Sequence, residues 1–226
     1  MVRFSLLVFL LCLFGSCATP APKLEGPEPQ RWAVLVPGIF GSPRTFHQLT
    51  SRLEFTGWRV LPITLTPNDG TVSLRQLASD LKQTIDQTIS VQDEVMLVGF
   101  SMGGMVSRSY VQEYEGWRRV RGVLTIASPN QGTEWSRLLH TPGVREMVPG
   151  SEFLNSINQI RLPQLQRVAH GAIYSSLDGV IVPPANGRLP SGWNHQLGPM
   201  LHAHVLSMNE TLEATIHFME RVTTKR

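Results

Sequence analysis

The pentad Gly99-Phe100-Ser101-Met102-Gly103 sets one serine between two glycines, directly after the apolar run Glu94-Val95-Met96-Leu97-Val98. A serine lifted out of a tight strand-to-helix turn presents its Oγ, and that hydroxyl becomes a nucleophile once a base takes its proton. Such a turn drives the serine into a sparsely populated backbone region. Side chains two positions to either side would collide there, which accounts for Gly99 and Gly103, while Gly104 lets the following helix close on the strand. The remaining needs of that chemistry are a base, an acid to orient it, and donors for the oxyanion. After Ser101 the chain has one aspartate, Asp178, and four histidines follow it: His195, His202, His204 and His217.

The elements that would position these groups alternate between strand and helix. Arg31 to Val36 is a short β-rich run ending at Pro37-Gly38, Pro43 to Phe55 has helical character, and Gly57 to Leu65 returns to strand. Ser73 to Ile89 carries Leu74, Leu77, Leu81 and Ile85 at helical spacing behind a candidate N-cap, Ser73. A strand over Glu94–Gly99, a helix over Gly103–Tyr114 and a strand over Val120–Ala127 follow, then a strand over Arg167–Tyr174 and an amphipathic helix over Asn209–Val222. This order predicts an α/β fold with a mostly parallel sheet covered on both faces. Ligands of such sheets bind beyond the carboxyl ends of the strands, where Pro37-Gly38, Ser101 and Ser128-Pro129 all fall. The stretch 130–163 interrupts the alternation and reads either as a small helical cap over the site or as surface helices packed on the core.

The chain resembles the α/β-hydrolase lipases and esterases, the small bacterial type in particular. Val34-Leu35-Val36-Pro37-Gly38-Ile39-Phe40-Gly41-Ser42 is similar to their oxyanion loop, with Pro37 where His is usual, and Gly99 to Gly104 is similar to their nucleophile elbow, where His often replaces Phe100. Ala127 to Thr133 and the acid loop Tyr174 to Ile181 match further segments. The family's chain order of serine, acid, histidine implies Ser101 as nucleophile and Asp178 as acid. Glu134, Glu146 and Glu152, in the inserted stretch, are the other candidate acids. The base is expected in a loop before the final helix, which holds both His202 and His204; the spacing to the apolar positions of that helix favours His204, with His202 as second candidate. His217 falls mid-helix and His195 in a Gly/Pro-rich loop. The backbone N–H groups of Met102, at a helix N-terminus, and of Ile39, after Gly38, are the expected oxyanion donors. Phe40, Phe46, Met105 and Trp135 are the candidate apolar acyl-binding side chains. The implied reaction needs no metal and no cofactor.

Composition and targeting signals bound the rest. The 226 residues, 42% hydrophobic, suit one domain over 31–226, and a net charge of +3 without long basic runs argues against nucleic acid. Arg3 and the apolar run Phe4 to Phe14 read as a signal peptide over 1–16, ending in Leu13-Phe14-Gly15-Ser16-Cys17. This resembles a bacterial lipoprotein signal in which Cys17 carries lipid, the rival being plain secretion with cleavage near Ala18. Residues 17–30, rich in proline, read as a tether. Export follows on either reading, with the outer membrane expected for a lipoprotein of a double-membraned bacterium. The leading function is cleavage of apolar carboxylic or lipid esters through an acyl-enzyme; the alternatives are acyl transfer on the same fold and a binding lipoprotein without activity.

Overall fold

The structure, a computed structural model, describes residues 28–159 and 163–224. The signal segment and Cys17 lie outside the described residues. Six strands form one sheet: β1 (Arg31–Val36), β2 (Arg59–Pro62), β3 (Glu94–Phe100), β4 (Val120–Ile126), β5 (Ala169–Ser175) and β6 (Trp193–Leu197). Their spatial order is β2-β1-β3-β4-β5-β6, and every neighbouring pair is parallel. The helices α1 (His47–Phe55), α2 (Leu74–Thr88), α3 (Met102–Glu113), α4 (Pro142–Glu146), α5 (Glu152–Ile157) and α6 (Asn209–Thr224) cover it.

Sequence periodicity explains how the two faces are filled. The strands are buried on both sides, so they read as continuous apolar runs: Val95 to Val98 are fully buried. Helix α2 turns Leu74, Leu77, Ala78, Leu81 and Ile85 onto one face of the sheet, where α3 joins it. Its amino end is satisfied twice over. Ser73 Oγ accepts the Arg75 N–H at 3.1 Å, and the Glu146 carboxylate accepts the Leu74 N–H and the Ser73 hydroxyl. Helices α1 and α6 place Leu49, Leu53, Leu212, Phe218 and Met219 on the opposite face.

Strand order decides where a site can form. From β1 the sheet grows in one direction to β2 and in the other to β3, so the crevice opens between the carboxyl ends of β1 and β3. Gly38 and Ser101 follow those two ends.

Three expectations change. Strand β2 is only Arg59–Pro62, shorter than the apolar run around it. His195 lies in β6 rather than in a loop, because Trp193–Leu197 pairs with β5 and completes the sheet edge. The stretch after β4 packs α4 and α5 onto the α2–α3 face, with Val144, Phe153, Leu154 and Ile157 buried there. Arg108 on α3 holds both ends of this stretch. Its guanidinium is fully buried and donates to Asn130 Oδ1 at 3.1 Å, to the Ile157 carbonyl at 2.6 Å and to Asn158 Oδ1 at 2.8 Å. Burial without a carboxylate partner lowers its pKa to about 9. His170 on β5 is buried nearby, and desolvation together with the Arg108 charge takes it down to about 4, so it is neutral at pH 7.

Candidate active site

Ser101 joins β3 to α3 with φ 53° and ψ −125°, the strained turn expected of it. Its N–H donates to the Ile126 carbonyl of the neighbouring strand at 2.9 Å, and this bond helps hold the unfavourable conformation. The flanking glycines are required by close approach. A Cβ on Gly99 would lie 2.5 Å from Gly104 Cα, and one on Gly103 would lie 2.1 Å from the Val36 carbonyl oxygen. The turn also brings the loop after β1 against the serine, since a Cβ on Gly38 would lie 2.8 Å from Ser101 Cβ.

Two backbone donors of that loop are engaged. The Phe40 N–H donates to the Asn68 carbonyl and the Gly41 N–H to the Gly38 carbonyl, both at 2.9 Å. Phe40 reaches this geometry at φ 56°. No backbone acceptor engages the Ile39 N–H among the described residues, and Met102 stands at the first helical position of α3, where an N–H has no intrahelical partner. Neither of the two N–H groups expected from the sequence is engaged by a backbone acceptor among the described residues.

Asp178 is buried in the loop after β5. Its Oδ1 accepts the Val180 N–H at 2.9 Å and the Ile181 N–H at 2.8 Å, so the carboxylate is held by backbone. His202 completes the pair. Its Nδ1 lies 2.9 Å from Oδ1 and 3.0 Å from Oδ2 of Asp178, and its backbone N–H donates to the Asp178 carbonyl at 2.9 Å. With Nδ1–H donated to the carboxylate, Nε2 is the acceptor nitrogen. The imidazole packs on the ring of Phe100, the residue before Ser101, with centroids 5.0 Å apart.

His204 is not the residue at this position. The segment His202–Ser207 is a 3-10 helix, in which residues two apart point in different directions. The His204 side chain is exposed, and its backbone carbonyl accepts the Ser207 hydroxyl at 2.9 Å. Neither of the other histidines approaches Asp178: His195 Nε2 pairs with Glu210 at 3.1 Å, and His217 sits within α6. The alternative acids have other partners as well. Glu134 pairs with Arg137, Glu146 caps α2, and Glu152 lies 3.7 Å from Arg75.

The acyl-binding set divides. Phe40 and Trp135 stand exposed at the site end of the sheet, but Phe46 and Met105 do not contribute. Phe46 is enclosed against Leu49 and Leu35 beneath α1, and Met105 is fully buried between α3 and the sheet. Their helical registers turn them into the two cores.

Several positioning residues carry no signal in the sequence. The Thr133 hydroxyl donates to the Val180 carbonyl at 2.7 Å and accepts the Val182 N–H at 3.0 Å, and the Trp135 indole N–H donates to the Gly179 carbonyl at 3.1 Å. The inserted stretch thereby braces the acid loop. Ser175 ties that loop to the histidine segment: its hydroxyl lies 2.8 Å from the Met200 carbonyl and accepts the Leu177 N–H at 3.0 Å. Asn68, through its carbonyl and its side-chain amide, holds the loop after β1. Lone Ser, Thr and Asn residues occur throughout any chain, and only contact separates these from the rest.

The sequence model of a family described as palmitoyl protein thioesterase matches residues 34–186. That span includes Ile39, Ser101 and Asp178. No curated protein sequence matches the chain significantly. Among solved structures it is similar to the mature Bacillus licheniformis lipase BlEst2, at 17% identity and a TM-score of 0.67, covering 89% of this chain and 95% of that one. It is likewise similar to the lin2722 product of Listeria innocua, at 14% identity and TM-score 0.66, covering 87% and 96%. Legionella pneumophila phospholipase PlaB matches with TM-score 0.69 at 13% identity, covering 87% of this chain and 60% of that one. These likenesses establish the α/β-hydrolase fold.

Proposed function

Because the chain belongs to the palmitoyl protein thioesterase family of α/β-hydrolases, we propose that it hydrolyses acyl esters or thioesters with apolar acyl chains, using Ser101 as nucleophile, His202 as base and Asp178 as its orienting acid. One observation carries the reading. A buried carboxylate holds His202 by Nδ1, and the imidazole packs on Phe100, the neighbour of a serine kept at φ 53° on a helix N-terminus. Structural histidines and turn serines do not need that combination of strain and orientation.

Ser101 Oγ attacks the carbonyl carbon and its proton passes to His202 Nε2. The negative charge that develops on the carbonyl oxygen is met by the N–H groups of Ile39 and Met102 and by the amino end of α3. Collapse breaks the acyl–oxygen or acyl–sulfur bond, and the leaving alcohol or thiol takes the proton from His202. Water then attacks the acyl-enzyme, again losing a proton to His202, and the carboxylic acid departs as Ser101 regains its hydrogen. Asp178 holds the imidazole in orientation and stabilises the imidazolium. Apolar Phe40 and Trp135 at the mouth, and the family description, support an apolar acyl chain delivered as an ester or a thioester.

We also place the enzyme outside the cytoplasm, anchored through lipid on Cys17. The support is the sequence of the leader alone: a short basic start, an apolar run, and small residues before cysteine.

A p-nitrophenyl ester series of increasing chain length, set beside the matching acyl thioesters, tests the activity. Ser101→Ala should lower the rate by at least about a thousandfold with folding unchanged, since only oxyanion and binding contributions remain. Retention of more than about a tenth of the rate would show a different nucleophile. A fluorophosphonate probe that leaves Ser101 unlabelled would favour the inactive binding protein.

A further inference from the structure

Nine large apolar side chains are exposed among the described residues, and seven of them rise from loops at the carboxyl ends of the strands. Phe40 follows β1, Trp135, Leu138 and Leu139 follow β4, Leu177 and Val180 follow β5 and Leu201 follows β6. They are far from marginal: Phe40 is 77% exposed and Leu138 66%. The two exceptions, Phe55 and Val91, lie at the other end of the sheet, at the last residue of α1 and before β3. Scattered apolar exposure is normal on a soluble surface, but segregation of this kind around one end is not.

From this distribution we propose that the rim around Ser101 docks directly on a lipid bilayer, with the site mouth facing the membrane and these side chains inserted among the acyl chains. The proposal rests on the acyl-hydrolase reading only for what the docked site does there. Four separate loops supply the tips, and the Trp135 ring is fixed by its indole hydrogen bond to Gly179. An aromatic ring held at one polar point suits the boundary between headgroups and hydrocarbon. Apolar side chains on a membrane-surface element need to penetrate only about 5–10 Å to bind.

The chain length outside the described residues allows this orientation. Residue 30 enters β1 at the end of the sheet opposite the rim. Cys17 and Gln30 are thirteen residues apart, a reach of up to about 45 Å at full extension. A strand of six or seven residues rises only about 20 Å, so a membrane-held Cys17 leaves the site end free to touch the same bilayer.

The opposite end is the competing face. It is basic, with Arg31, Arg59, Arg118, Arg121 and Arg167 at or near the amino ends of the strands. The tryptophans distinguish the two orientations. Trp32, Trp58, Trp117 and Trp193 all lie at the amino ends of β1, β2, β4 and β6, and Trp135 is the one at the rim.

The full-length protein reconstituted in phosphatidylcholine vesicles with brominated acyl chains gives the test. Tryptophan fluorescence should be quenched relative to vesicles of unbrominated lipid, and Trp135→Phe should abolish the quenching. The double variant Leu139→Gln/Leu177→Gln should weaken quenching and cut hydrolysis of a long-chain ester dispersed in the vesicles by about tenfold or more, from the lost insertion of two leucines. The same variant should hydrolyse soluble p-nitrophenyl butyrate within about twofold of the parent, as expected of exposed substitutions. Quenching that persists in Trp135→Phe would mean the basic end faces the membrane, and absence of quenching in the unsubstituted protein would mean no docking; either result overturns the proposal. Loss of soluble-ester hydrolysis in the parent would instead refute the catalytic reading, leaving the quenching result to be judged separately.

Discussion

Two histidines separated by one alanine show how finely the partner of Asp178 is selected. His202 is clamped to Asp178 through both its ring and its own backbone N–H, so the imidazole is oriented before any substrate arrives. His204 has neither contact. His202→Ala should therefore match the loss of Ser101→Ala, at least about a thousandfold, and the double mutant should be hardly worse, because groups acting as one unit are non-additive. His204→Ala should retain most of the rate. Steady-state kinetics on one soluble ester checks both, and a reversed outcome would return the base to His204. Asp178 adds a second constraint at this scale: its Oδ1 accepts two backbone N–H groups in addition to the imidazole, which keeps the carboxylate in place when His202 moves a proton.

The neck of the inserted stretch is closed by one buried cation. Arg108 on α3 reaches Asn130 at its start and Ile157 and Asn158 at its end, closing the neck of the excursion. The first part of that excursion braces the acid loop through Thr133 and Trp135. A fixed brace is thus a better description than a lid. Arg108→Ala removes the donor and leaves buried carbonyl oxygens without a partner, a cost of about 3 kcal/mol. Urea denaturation should report that loss, and hydrogen exchange should accelerate between residues 130 and 158 and in the loop after β5. Arg108→Lys should recover only part of it, since one ammonium cannot reproduce the planar fork that spans both ends. Unchanged exchange in the acid loop would separate the neck from the site.

Across the whole molecule, the site and the point of chain entry lie at opposite ends of one parallel sheet. No helix among the described residues is long and apolar enough to cross a membrane. Attachment in our reading falls to Cys17, whose two or more acyl chains would anchor stably where one would not. Cys17→Ser should shift the protein to the soluble fraction or block its processing, with soluble-ester hydrolysis unchanged. Fractionation followed by assay settles it, and unaltered membrane attachment would leave plain secretion or another anchor.

The sequence by itself determined the elements with strong periodicity and the turn that steric demand for glycine marks. Strand β1, helix α2 with its Ser73 cap, the elbow at Ser101 and helix α6 are all legible, because two-sided burial, a 3.6-residue apolar stripe and steric demand for glycine leave direct marks. Asp178 is marked in the sequence by the resemblance of its loop and as the one aspartate after Ser101, but its contact with His202 is what sets it apart from Glu134, Glu146 and Glu152. What tertiary structure decided is everything that depends on which groups meet. Spacing along the chain could not separate His202 from His204, since both precede α6 and only the 3-10 turn and the Asp178 carbonyl choose between them. Strand β6 could not be read from Trp193–Leu197, a polar edge segment that is a strand because β5 offers it an unpaired edge. Phe46 and Met105 look like ligand-facing residues until their helices turn them into the core. Local rules act between near neighbours in sequence, whereas a carboxylate–imidazole pair 24 residues apart is created by loops that only the assembled sheet brings together.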